Sequence, residues 1–142
     1  MSRYCTVETQ YTDAEALLMA LLETGGWTAD QIETYLMDDQ EPQHLFGYKG
    51  DRRSEKAHII IRKRHVGSAS NDIGFIRTED GTYQAIISEY DTSKYNQQWL
   101  GQLKGNYAFH KLRKDQEARG RRVTRSRCNR TGRQRVEVVG YR

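Results

Sequence analysis

Between residues 43 and 90, four short runs of strand character follow one another, and they constrain this chain more than any other feature. They are Gln43–Gly50, Lys56–Arg64, Asn71–Arg77 and Thr82–Tyr90. The breaks between them carry turn chemistry: Gly50-Asp51, the small polar stretch Gly67–Asn71, and Asp80-Gly81, a strong hairpin signal. In the second run Ala57, Ile59 and Ile61 share a face, while His58, Ile60 and Arg62 take the other. In the fourth, Tyr83, Ala85 and Ile87 oppose Gln84, Ile86 and Ser88. Both faces are partly apolar, the pattern of central strands covered fully on one side and partially on the other. The runs read as an antiparallel meander that needs helices laid over it.

The flanks supply those helices. Tyr4 to Gln10 alternates as a strand. Thr12, with Glu15 three residues on, has capping-box spacing, and Leu17, Leu18, Leu21 and Leu22 form one helical stripe before Gly25-Gly26 stops it. Segment 28–42 reads as an inserted loop or a short helix: Thr28 to Gln31 opens it, Ile32, Tyr35 and Leu36 follow, and acidic Asp38, Asp39 and Glu41 lead to Pro42. The polar loop Gly67–Asn71 is expected to be mobile. The longest helix runs from about Asn96 to Arg119, with Trp99, Leu100, Leu103, Tyr107, Ala108 and Leu112 docking on the sheet. Its Gly101 and Gly105 cost about 1 kcal/mol each against alanine, and would let a strand or a partner approach closely. Gly120 ends it, and residues 120–142 form a basic hairpin around Asn129–Gly132, with Arg125 and Arg127 on the face of Val123. The whole predicts one α+β domain over residues 1–142. It has a single, mainly antiparallel sheet in the order β-α-ββββ-α-ββ, with two main helices packed on one face.

These landmarks, taken in order, resemble a known family. They are Met1-Ser2-Arg3-Tyr4, Glu15-Ala16-Leu17, Gly47-Tyr48-x-Gly50, Ala57-x-Ile59-Ile60-Ile61-Arg62, Asp72-Ile73-Gly74-Phe75 and Gly81-x-Tyr83. Trp99, Leu103, Tyr107-Ala108 and a closing Arg135-Val136-x-Val138 complete them. The chain resembles the conserved plastid and cyanobacterial hypothetical reading frame thirty-five family, also met in bacteria and phages, with 28–42 and the arginine-rich tail departing from it. The resemblance implies a small single domain of unknown function and brings no catalytic residue or cofactor.

Charge is where composition enters. Residues 111–142 hold 12 Lys and Arg against 3 acidic residues, a net +9, and the other 110 hold 11 against 16, a net −5. Arg119, Arg121, Arg122, Arg125, Arg127, Arg130, Arg133 and Arg135 cluster on a helix end and a hairpin, where guanidinium groups suit phosphates. Aromatic residues that would stack bases (Tyr90, Tyr95, Tyr107, Tyr141) lie elsewhere, so base readout has no support. The bland alternative is that these arginines solubilise an edge hairpin or pair with the acidic Asp38–Glu41 stretch.

Enzymatic readings are weaker. His44, His58, His65 and His110 lack metal-ligand spacing, and Cys5 and Cys128 lie far apart and read as two separate thiols. Asp72, Glu89 and Asp91, with Lys94, would make a metal-dependent nuclease only if they met at one sheet edge. No GxGxxG, Walker loop, nucleophile elbow or HExxH is present, and Gly47-Tyr48-Lys49-Gly50 lacks the helix a phosphate loop needs. Mean hydropathy is −0.92, no run nears the roughly 18 apolar residues of a membrane span, and no signal peptide is evident. The expectation is a cytoplasmic, non-catalytic binding protein with no cofactor and no membrane contact, engaging nucleic acid, another polyanion or an acidic protein surface. A protein-interaction module, including a homo-oligomer, using Trp27, Tyr35 and Trp99 is the first alternative, and the nuclease the second.

Overall fold

The computed structural model describes residues 2–127 and 134–140. Five strands form one antiparallel sheet in the order β1-β7-β6-β5-β2: β1 (Tyr4–Glu8), β7 (Tyr83–Ser88), β6 (Ile73–Arg77), β5 (Ile59–Ile61) and β2 (Ile32–Thr34). β3 (Gln43–Phe46) and β4 (Arg52–Ala57) pair as a separate ribbon, and β8 (Arg121–Arg127) and β9 (Gln134–Gly140) as another. Two substantial helices, α1 (Ala14–Gly25) and α3 (Gln97–Glu117), and the single turn α2 (Lys63–Val66) complete the α+β fold. The class and the antiparallel main sheet are those the sequence predicts, but the strands are divided among three sheets. No helix of the described residues is long and apolar enough to cross a membrane.

Each long helix begins where a side chain can satisfy its free amides. Asp13, not Thr12, caps α1 by accepting from Ala16 N at 3.0 Å, while Thr12 donates its own N–H to the Tyr107 hydroxyl. Asn96 caps α3 through Trp99 N at 3.0 Å, and Gly26, at φ 71°, ends α1 in the left-handed conformation. Leu17 and Leu21 of α1 and Leu103 and Tyr107 of α3 then bury the face carrying Ile59, Ile61, Ile73, Phe75, Ala85 and Ile87. Tyr95 meets Trp99 edge-on, with ring centroids 4.9 Å apart, and the Trp27 indole N–H donates to His65 O at 2.8 Å.

The β3–β4 ribbon covers the opposite face, where Leu45, Ala57, Ile60 and Ile86 form a second core. Ala57 therefore does not share the face of Ile59 and Ile61. The strand breaks at His58, whose N–H donates to Phe75 O and whose carbonyl accepts from Tyr35 N. That irregularity inverts the alternation between Ala57 and Ile59. Gly74 lets the ribbon lie flat, because a Cβ there would sit 2.6 Å from Ala57 Cβ and 2.9 Å from Leu45 Cδ2.

Segment 28–42 also departs from expectation. One 3-10 turn, Ala29–Gln31, is all the helix it contains, and Ile32–Thr34 then pairs with Ile59–Ile61 as the far edge of the main sheet. Burying Ile32 against an isoleucine run outweighs a helix that would have covered nothing. The stretch Gly67–Asn71 is likewise no free loop, since Ser70 and Asn71 are buried.

Candidate functional site

α3 ends at Glu117, and Gly120, at φ 77°, reverses the chain into β8. The register opposes Val123 to Val138 and Arg125 to Val136, and on the other face Arg122 to Val139 and Ser126 to Arg135. Directly opposed residues of an antiparallel pair share a face, so the hairpin's arginines are split between two faces.

Arg125 faces inward. Its guanidinium carbon lies 3.9 Å from the Phe109 ring centroid, and its Nη1 lies 2.9 Å from Glu23 Oε2. His110 Nε2 is 2.9 Å from the same carboxylate's Oε1. Partial burial opposes ionisation of Glu23, but hydrogen bonds from Arg125 and His110 hold its carboxyl below the usual range. Beside them Asn106 Nδ2 donates to Thr24 Oγ1 at 2.8 Å, and Val123 is buried. Arg125 is thus a clamp fastening the hairpin to α1 and α3.

Arg119, Arg121 and Arg122 are exposed around the Gly120 turn, Arg121 on the strand face of Val123 and Arg122 on the opposite one, and no carboxylate of the described residues lies within ion-pair distance of them. Arg121 Nη1 donates to Gln116 Oε1 at 3.0 Å. Arg135 is exposed and pairs with Glu137 of its own strand at 3.1 Å. The Arg127 side chain, and the whole of Arg130, Arg133 and Cys128, lie outside the described residues. Asp38, Asp39 and Glu41 form no ion pair with the hairpin among the described residues; its inward arginine pairs with Glu23 instead.

Asp72, Glu89 and Asp91 do not meet. Asp72 is buried and accepts from Phe46 N, Lys63 N and Arg62 Nη1 at 2.7, 2.7 and 2.8 Å. Arg62 also grips Glu33 with two bonds, Nη2 to Oε1 at 2.8 Å and Nε to Oε2 at 2.9 Å. Burial works against the Arg62 charge, yet its bonds to Glu33 and Asp72 raise its pKa above the ordinary value. Asp91 accepts from Asn71 N at 3.0 Å and Ser88 Oγ at 2.7 Å, and Asn71 Oδ1 accepts from Tyr48 N at 2.9 Å. Glu89 stands apart on the surface, 3.3 Å from Arg3. Among the described residues no group of three or more His, Cys, Asp or Glu gathers as a metal site. These networks fasten the ribbon and the turns to the sheet. Sequence reasoning missed the Arg62 hub, whose one visible signal was a charge closing an Ile-Ile-Ile run.

A groove of about 730 Å³ runs between α3 and the chain leaving β1, past Val7, Leu100, Gly101, Lys104, Ala108 and Leu112. A Cβ at Gly101 or Gly105 would meet nothing within 4 Å among the described residues, so no described strand uses the approach those glycines leave open.

The fold and its outer surface define a small α+β domain: a sheet sandwiched between helices and a ribbon, with a basic hairpin clamped to one end. Residues 33–137 match the family described as "Protein of unknown function (DUF1257)", and the chain belongs to that family. The match runs from β2 to β9, so it includes both the Arg62–Asp72 hub and most of the hairpin. No curated protein and no solved structure matches the chain.

Proposed function

We propose that this domain is a non-catalytic, cytoplasmic binding protein that engages the phosphates of nucleic acid through the arginines where α3 meets the hairpin. The narrower kinship with the reading frame thirty-five family belongs to the same reading and adds no activity to it. The observation that carries it is the state of Arg119, Arg121 and Arg122: exposed, adjacent in the chain, and without a carboxylate partner among the described residues. A guanidinium already paired must break that pair to take a phosphate, whereas these three need only shed water and counterions. Arg135 lies on the outer face of β9, where its pair with Glu137 must open before it takes a phosphate, and Arg127, Arg130 and Arg133 are near it in sequence. Arg125 serves as the clamp rather than as a contact. With no aromatic platform beside these arginines among the described residues, binding follows the backbone and is weakly selective for sequence.

Binding to a short duplex, measured across a salt series, tests this. Arg119, Arg121 and Arg122 replaced together by alanine lower affinity and flatten the plot of log K against log salt by about 0.9 for each phosphate contact removed. Unchanged affinity and slope in that variant would overturn the reading.

A further inference from the structure

We propose that β9 pairs antiparallel with β9 of a second copy, about a two-fold axis through Val136, joining two hairpins into one four-stranded sheet. Three observations lead there. First, β9 is held on one side only: it pairs with β8 through seven successive residues without a bulge, and among the described residues nothing pairs with its outer edge. A lone two-stranded hairpin is marginal in water, and an edge strand without lysine, proline or bulge invites another strand. Second, β9 exposes apolar side chains, with Val138 at 44% and Val139 at 37% accessible. Few other large apolar residues of the described chain are as open.

Third, charge selects the partner and the register. A two-fold axis perpendicular to a sheet sets some residue opposite its own copy, because opposed residues must share a face. Centred on Arg135 or Glu137, the pairing would oppose like charges. Centred on Val138, it would set Glu137 against Val139 and leave its charge without a partner across the seam. Centred on Val136, it sets Arg135 opposite Glu137 of the second copy on both sides of the axis. It also sets Gln134 opposite Val138. Val136 and Val138 of both copies then form one apolar stripe on the face that Val123 already buries against α3. β9 is therefore complementary to itself, and a second copy of this chain is the occupant that its charges fit.

The test is a charge swap read by sedimentation over a concentration series. The wild-type chain dimerises. Glu137→Arg sets arginine against arginine at both ends of the seam and raises the dimer dissociation constant about tenfold or more. Arg135→Glu combined with Glu137→Arg restores the dimer. Both positions are exposed, so circular dichroism melting should show intact monomers throughout. A monomer at every concentration, a dimer indifferent to Glu137→Arg, or a double variant that stays monomeric would each overturn the proposal. Because the readout is mass, it stands or falls independently of nucleic-acid binding.

Discussion

The molecule carries two two-stranded ribbons, held in opposite ways. β3–β4 lies flat on the main sheet: Leu45 and Ala57 are fully buried, and the charges beneath it, Arg62, Glu33 and Asp72, satisfy one another. β8–β9 is fastened to the rest of the molecule mainly along β8, through Val123 and the Arg125 clamp, and leaves Val138, Val139 and most described arginines in water. A ribbon joins a core when it covers apolar surface that would otherwise face solvent, as β3–β4 covers Ile60 and Ile86. A ribbon with one buried valine has no such hold, and its charges stay available. The first ribbon therefore supports stability, and the second is the one to which we assign recognition.

The sharpest way to break this contrast is at the buried hub. Asp72→Ala removes an acceptor of three hydrogen bonds and leaves Arg62 half-paired in a largely buried position, which costs about 3–5 kcal/mol in urea unfolding. Gly74→Ala drives a methyl against Ala57 and Leu45 and costs about 1–3 kcal/mol. Neither change touches the hairpin, so below its unfolding transition each variant binds nucleic acid as the wild type does. Arg125→Ala works the other way. It removes a partly exposed ion pair at the rim of the fold and a ring contact, so global stability falls by about 1 kcal/mol, while the hairpin loses its fastening.

Acid makes the smallest change. The Glu23 carboxyl has its folded pKa depressed, so its contribution is fully present above its unfolded pKa and is lost as pH falls through the folded value. The clamp should weaken below the ordinary carboxylate range, and backbone amide signals of Val123 and Arg125 should shift there before those of Phe75 or Ile86. A Glu23→Gln chain should lack that early shift.

The sequence made some of this legible because local signals and burial agreed. Tyr83, Ala85 and Ile87 alternate cleanly against Gln84, Ile86 and Ser88, and Asn96 announces the start of α3. Two structural features were hidden for physical reasons. One break at His58 turned Ala57 to the other face, which moved Gln43–Phe46 out of the main sheet, and no residue-level pattern marks such a break. The three-residue β2 owes its existence to distant Ile59–Ile61, while the nearby Thr28 and Gln31 signal a helix turn and do form one. At the site, Arg119 to Arg135 were visible as a cluster. Arg125 could not be told from Arg122, because the Glu23 and Phe109 that separate them are far away in the chain.

Native-state hydrogen exchange tests most directly whether the two ribbons are separate in energy, at concentrations low enough to keep the chain monomeric. The amides of β8 and β9 should open at lower free energy than those of β5 to β7, and Arg125→Ala should lower protection in the hairpin alone. Equal protection in both regions, or a loss spread evenly over the sheet, would contradict the account.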